Sequence, residues 1–323
     1  MKDGLADTPS IEEYLCRVMP KDSTIGVDGM LFSVMTVEQM RTCFESAGLK
    51  LNTCFNPVDE LWSDRPALPN DAIFVHDDCY NGENLTLKIG RVLGNAKAAG
   101  ANSVFLSGLD EIAWVLNIRS NDVPCNPVAT AFLFLSDDRK VLFINEEKVD
   151  DTVRQYLASA DVDVAPYADV ARFLTLLPAS QRVLIEPART ADTLAVILGA
   201  RAVKGASPVA MIKAVKNAVQ LAGLRKAMER DGAALVRLFM EIERRLKAGE
   251  TVTELDVADF SRKYRGESDM YFDESFDMIA GYGPHGAIVH YKATPESSST
   301  LRSDGLLLVD SGAQYLDGTT DIT

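Results

Sequence analysis

The chain has 323 residues, 47% of them hydrophobic and 25% charged, which excludes a disordered or fibrous protein and predicts more than one domain. Its 47 acids outnumber 33 bases, giving a net charge of −14 and a pI near 4.7. That balance argues against a nucleic acid or an anionic membrane as partner, since either would want a basic face.

In chain order, Thr8-Pro9-Ser10 predicts the cap of a helix running to about Val18, with Glu12 and Glu13 in its favoured first turn. A short strand at 24–27 precedes a helix at 36–47, whose Val37, Met40 and Phe44 recur at helical spacing and which Gly48 closes. A strand at 49–55 and a short turn opened by Asn56-Pro57 follow. Residues 63–71 form a Pro-punctuated linker. Beyond it the pattern predicts a helix at 86–99, a buried strand at 103–107 and a helix at 109–117. A hairpin at 129–136 and 141–145 turns at Asp137-Asp138. Helices at 148–160, 168–177 and 188–198 alternate with strands at 163–165 and 182–185, which reads as a mixed sheet with flanking helices.

From Pro208 the character changes. Helical stretches at 211–226 and 228–247, abutting or kinked, precede a third at 253–265, announced by the capping pattern Thr251-Val252-Thr253-Glu254. Strand-like segments at 276–280, 286–291, 306–314 and 319–322 close the chain, so α/β gives way to α+β. The expected division is 1–65, 66–205 and 206–323.

The five cysteines (Cys16, Cys43, Cys54, Cys79, Cys125) include no Cys-x-x-Cys pair, so a zinc knuckle or a thioredoxin-like motif is not expected. Reduced thiols in a cytoplasmic protein are. The first twenty residues lack an apolar signal core, and no apolar run approaches the ~20 residues that span a bilayer. No phosphate-cradling loop or Gly-x-Ser-x-Gly elbow occurs.

Three places carry candidate chemistry. Asp310 and Asp321 flank an expected hairpin whose Asp317-Gly318 is a two-residue turn signal. That turn sets Asp321 opposite Gln314, with Asp310 four residues away on the same face, about 13 Å off. Two metals sharing a site stand ~3.5–4 Å apart, so a metal reading needs a register shift, and the alternative is two solvated strand-end acids. His290, at the end of the apolar run 286–291, is placed to bond a substrate carbonyl or an oxyanion, or is a satisfied rim residue. His285 reads as a turn residue and His76 as structural or exposed, and three histidines are too few for a His-built metal cage. Arg119, past the end of a helix that Ile112 and Trp114 pack on the sheet, is free to reach a substrate carboxylate.

On these same residues the chain resembles the long, three-domain cytosolic Xaa-Pro aminopeptidases of the pita-bread metallopeptidase family. The segment Asp310-Ser311-Gly312-Ala313-Gln314-Tyr315 with Asp317-Gly318-Thr319-Thr320-Asp321 is similar to that type's first metal-ligand segment. Gly283-Pro284-His285-Gly286-Ala287-Ile288-Val289-His290-Tyr291 is similar to the strand bearing its active-site histidine, and 109–128 and Trp62-Ser63-Asp64-Arg65-Pro66 fit as well. The resemblance implies creatinase-like N-terminal α/β domains followed by the first part of a pita-bread catalytic domain. It implies release of the N-terminal residue from peptides with proline second, by a hydroxide bridging two Mn(2+). Asp310 would bind one metal, Asp321 would bridge both, and His290 would hold the peptide and steady the tetrahedral intermediate. A cytoplasmic homodimer with peptide substrates is implied for the intact enzyme.

Departures are His285 where relatives often have Asn, and Ser120-Asn121 in place of Gly-Ser. The family's remaining histidine and two glutamate ligands are expected beyond Thr323, and part of the first domain before Met1. A chain truncated at both ends, without bound metal and inactive alone, is therefore expected. The alternatives are a non-catalytic pita-bread interaction module and a prolidase- or creatinase-like hydrolase.

Overall fold

A computed structural model describes Leu5 and residues 8–323, so whatever was expected of residues 1–4, 6 and 7 lies outside the described residues. The chain forms two compact units. One comprises Met1–Asn70, Leu85–Leu116 and Thr130–Lys213; the other Asp71–Asn84, Asn117–Ala129 and Ala214–Thr323. Among the described residues no helix is long and apolar enough to cross a membrane.

In the first unit, α1 (Ile11–Val18) starts at Ser10, whose hydroxyl accepts from Glu13 N–H while Glu13 reaches back to the Ser10 N–H. Helix α2 (Val34–Ser46) begins two residues before expectation, because the Ser33 hydroxyl accepts from the Thr36 N–H. Strands Thr24–Gly26 and Lys50–Asn52 pair in parallel beside them. The larger sheet has six strands: β1 (Ser103–Leu106), β2 (Phe132–Ser136), β3 (Lys140–Ile144), β4 (Val162–Pro166), β5 (Val183–Ile185) and β6 (Ala202–Lys204). They lie in the order β6-β5-β1-β2-β3-β4, with β2 antiparallel to both neighbours. The inner strands β5, β1, β2 and β3 are buried on both faces and read as unbroken apolar runs, which is why the 132–144 hairpin was legible. Phe105, Phe134, Phe143 and Phe173 form the centre of the core with Leu174, Leu194 and Leu198.

Differences from expectation here have local causes. The helix at 148–160 is a 3-10 turn (Glu146–Lys148) followed by Asp151–Ala158, because Asn145 and Asp150 each cap a separate start. The helix at 188–198 begins only at Asp192, since the N–H groups of Arg189 and Thr190 turn back to the Glu186 carbonyl. Strand β6 was not anticipated.

The second unit is built on α3 (Ala218–Lys247) and α4 (Glu254–Arg265). The break in the helical run falls at 215–217, not near 227, because Asn217 and Gln220 cap each other reciprocally and restart the helix. Helix α4 is capped by Thr253 with Asp256, leaving Glu254 to other partners. Strands β7 (Tyr271–Glu274), β8 (Ile279–Tyr282), β9 (Leu307–Asp310), β10 (Ala313–Tyr315) and β11 (Gly318–Thr319) pair antiparallel throughout. One continuous stretch, 307–315, pairs with β8 over its first half and with β7 over its second, changing partner at Ser311-Gly312. Leu235, Leu238 and Ile242 of α3 and Val257 of α4 bury against Met278, Ala280 and Tyr282.

The expected strand at 286–291 is absent. Gly283 takes a left-handed φ of 57°, which glycine allows at no steric cost, and residues Gly283–Ala287 wind into a 3-10 turn. Ile288, Val289 and His290 continue it as an exposed turn.

Candidate metal-binding hairpin

The hairpin turns at Leu316-Asp317, with Tyr315 opposite Gly318 and Gln314 opposite Thr319. Ser311 and Ile322 exchange both backbone hydrogen bonds, at 3.0 and 2.9 Å. Asp321 therefore stands opposite Gly312, and Asp310 opposite Thr323. The two acids are diagonal cross-strand neighbours on one face, a relation that spans roughly 7–8 Å or less between side-chain roots. The expected register was wrong by two residues, and no bulge is required.

Two features draw the turn back. Asp317 is held by Arg230 of α3 through a bidentate pair at 3.0 and 3.1 Å. Gly318 serves close approach instead of turning: a Cβ there would lie 3.1 Å from Ala227 Cβ and Leu224 Cα, while one on Gly223 would meet the Asp317 carbonyl oxygen at 2.2 Å. His76 adds to the grip, its Nε2 lying 2.6 Å from the Leu316 carbonyl oxygen.

Behind the hairpin lies a buried ion pair. Asp231 of α3 and Arg265, the last residue of α4, have fully buried side chains and meet through Nε at 2.6 Å and Nη2 at 3.0 Å. Arg265 also donates to Ser311 Oγ (3.1 Å) and to the Gly312 carbonyl (3.2 Å). Asp231 accepts from Tyr315 Oη at 3.0 Å and Thr320 Oγ1 at 2.8 Å. Burial, and then the Asp231 charge, push the Tyr315 phenol well above its ordinary range, so it stays a donor. Ser311 follows Asp310 and Thr320 precedes Asp321. One ion pair thus fixes the chain beside both acids.

A second buried carboxylate anchors the loop that follows β8. Glu254 accepts from the Tyr282 N–H (2.7 Å), the Ser299 N–H (2.8 Å), Tyr291 Oη (2.9 Å) and His285 Nδ1 (2.9 Å). Burial alone would raise its pKa, yet these donors together hold it below the ordinary value. His285 stacks on Tyr291 with ring centroids 4.4 Å apart, so it is part of a buried cluster as well as of a turn.

The geometry of the hairpin sits within a clear sequence likeness. Residues 222–323 match the model of metallopeptidase family M24, and residues 64–220 match that of the creatinase/prolidase N-terminal domain. The chain thus carries a creatinase/prolidase N-terminal domain followed by an M24 metallopeptidase domain. Aminopeptidase P2 of Arabidopsis thaliana is 32% identical over the whole chain, which covers 50% of that protein. The probable Xaa-Pro aminopeptidase P of Coprinopsis cinerea is 34% identical, with 55% of it covered. The crystal structure of X-prolyl aminopeptidase from Caenorhabditis elegans, described as a cytosolic enzyme with a di-nuclear active site, superposes with a TM-score of 0.92 at 31% identity. That match covers 99% of this chain and 54% of that one. The chain spans about half the length of the relatives it matches.

In this M24-like domain Asp310 is half-buried and Asp321 exposed. Asp310 Oδ1 accepts from Thr323 Oγ1 at 2.8 Å, and its other oxygen and the Asp321 carboxylate carry no protein hydrogen bond among the described residues. Two such oxygen donors fit a hard divalent cation. They fit it as part of a ligand set, since among the described residues no group of three His, Cys, Asp or Glu side chains is placed to close a metal site.

The remaining candidates are His290 and Arg119. His290 is exposed in a left-handed turn (φ 56°), and no hydrogen bond or ion pair joins it to Asp310 or Asp321 among the described residues. Arg119 lies in a strand, Ile118–Arg119, paired with Phe74–Val75, and its Nη1 donates to the Ile118 carbonyl at 2.9 Å. That hydrogen bond is with its own backbone. Its loop does meet the hairpin further on, where Gln314 Nε2 donates to the Cys125 carbonyl at 3.0 Å, beside a cleft of about 460 Å³.

Sequence reasoning missed Asp231, Arg265 and Glu254. A signal existed for the first: Asp231, Ala234, Leu235 and Leu238 recur at helical spacing, so an acid sat on an apolar stripe where only a paired charge is stable.

Proposed function

We propose that this chain supplies part of a proline-specific metallo-aminopeptidase, which releases the N-terminal residue of peptides carrying proline in second position. The diagonal placement of Asp310 and Asp321 on an M24 hairpin supports this most directly. In this reading Asp310 and Asp321 would be among the residues that hold two Mn(2+). The chemistry those ions supply when bound is Lewis-acid activation of water and of the scissile carbonyl. Asp231 and Arg265 keep the two acids at fixed spacing, which limits the reorganisation needed when charge develops. His290 donates a hydrogen bond to the peptide or to the developing oxyanion once its loop faces the substrate, and Arg119 pairs with a substrate carboxylate.

The reading extends to a cytoplasmic homodimer of the whole enzyme and to three structural parts at 1–65, 66–205 and 206–323, which limited proteolysis would resolve. The chain as given offers two carboxylates, fewer than a dinuclear centre needs, and is proposed to be inactive alone and to hold no metal pair. Metal analysis after loading with Mn(2+), combined with cleavage of Arg-Pro-Pro, tests this. Stoichiometric retention of two metals, or turnover by this chain alone, would overturn it.

A further inference from the structure

Helix α1 contributes no fully buried residue, and rests on α2 through partly buried Leu15, Cys16 and Met19 beside Met40, Phe44 and Leu49. Across that contact Cys16 Sγ lies 3.4 Å from Cys43 Sγ and 3.7 Å from the Cys43 carbonyl oxygen. Both thiols are free and partly exposed. A disulfide bond is ~2.05 Å long, so closure asks for a sulfur movement of roughly 1.4 Å. Side-chain rotation, or a small shift of a helix with no buried anchor, supplies it. Cys54 and Cys79 are exposed and Cys125 is half-buried, and none of the three has a second sulfur within hydrogen-bonding distance among the described residues.

We infer that Cys16 and Cys43 form a redox-responsive pair, which closes to an intramolecular disulfide when a glutathione-type disulfide oxidant is present and reopens to the dithiol when a thiol reductant is in excess. In the first step one cysteine thiolate attacks the oxidant, forming a protein–glutathione mixed disulfide and releasing one glutathione thiol. In the second step the neighbouring cysteine attacks the protein sulfur of that bond, releasing the second glutathione thiol. Two protein thiols are oxidised and one small disulfide is reduced to two thiols, with protons balanced. The hydrogen bond with Cys16, followed by burial and by the charges of Glu12 and Glu13, holds the Cys43 thiol above its ordinary range. The resting Cys43 is accordingly a thiol, and closure needs the oxidant because two thiols give up two electrons in forming the bond. Closure fastens α1, which buries no residue fully, to α2.

The full chain, treated with oxidised glutathione and mapped by mass spectrometry without reduction, tests this. Expected are one dominant Cys16–Cys43 linkage, loss of two hydrogens from the intact mass, and loss of two of the five free thiols. That linkage should exceed any other cysteine pairing by at least about tenfold, because the second thiol is already in place. In Cys43→Ser the glutathione adduct on Cys16 should persist, with no partner to resolve it, and Cys16→Ser should show the mirror result at Cys43. Stable glutathione adducts on both cysteines of the unsubstituted chain would overturn the inference, as would linkages spread among all five. The unsubstituted map decides the matter even if a serine variant fails to fold.

Discussion

Asp231→Asn tests whether the buried ion pair is what holds the hairpin. The substitution keeps size and some hydrogen bonding but leaves the Arg265 guanidinium buried without a counter-charge. Breaking a buried pair by removing one partner costs about 3–5 kcal/mol. The Tyr315 and Thr320 hydroxyls also lose a charged acceptor. Because the loss falls where Arg265 and Asp231 meet Ser311, Gly312 and Thr320, it should appear first as local opening. The amides of Ser311, Ala313, Thr320 and Ile322, all hydrogen-bonded in the hairpin, should exchange with solvent roughly two to three orders of magnitude faster, since ~1.4 kcal/mol is tenfold. Trp62 and Trp114 both belong to the first unit, so the tryptophan fluorescence transition in urea should not move. The pair Asp231→Leu with Arg265→Met should recover part of the loss, the remainder being hydroxyls left without an acceptor. Unchanged hairpin exchange in Asp231→Asn, or a double variant as damaged as the sum of its singles, would refute the argument.

Glu254 has its pKa lowered in the folded protein, so its contribution to stability is present above the ordinary carboxylate value of about 4.3 and is lost as pH falls through the lowered one. Acid unfolding of the second unit should therefore be steeper in the parent than in Glu254→Gln, as followed by near-ultraviolet circular dichroism; parallel acid limbs would count against the cluster. Gly223→Ala places a Cβ 2.2 Å from the Asp317 carbonyl oxygen and should cost about 1–3 kcal/mol by forcing the hairpin tip off α3. Exchange at Leu316, whose N–H donates to the Met270 carbonyl, reports it. Asp321→Asn changes an exposed side chain without a hydrogen-bond partner among the described residues and should leave stability within about 0.5 kcal/mol, separating a ligand role from a structural one.

The elements with strong apolar patterns were legible. β2 and β3 announce themselves as unbroken runs, and α2 by the spacing of Val37, Met40 and Phe44. What escaped was set by tertiary partners. Asp317-Gly318 is a favourable turn pair in isolation, yet the Arg230 ion pair and the contact of Gly318 with α3 outweigh it and move the turn. The apolar run Ala287-Ile288-Val289 reads as a strand, but His285 and Tyr291 are drawn to a buried Glu254 and the backbone winds up between them. Family likeness pointed to Asp310 and Asp321, whereas strand periodicity with the assumed turn kept them apart. The correct register reconciles the two without a bulge.

Paramagnetic broadening by Mn(2+) tests the central claim most directly. In the amide spectrum of this chain under excess Mn(2+), Asp310 and Asp321 and their cross-strand partners Thr323 and Gly312 should broaden together, and either Asp310→Asn or Asp321→Asn should abolish the effect at all four. Broadening of one acid without the other, or first at the acids Asp273 and Asp277 near Cys125, would contradict a shared metal face on the hairpin.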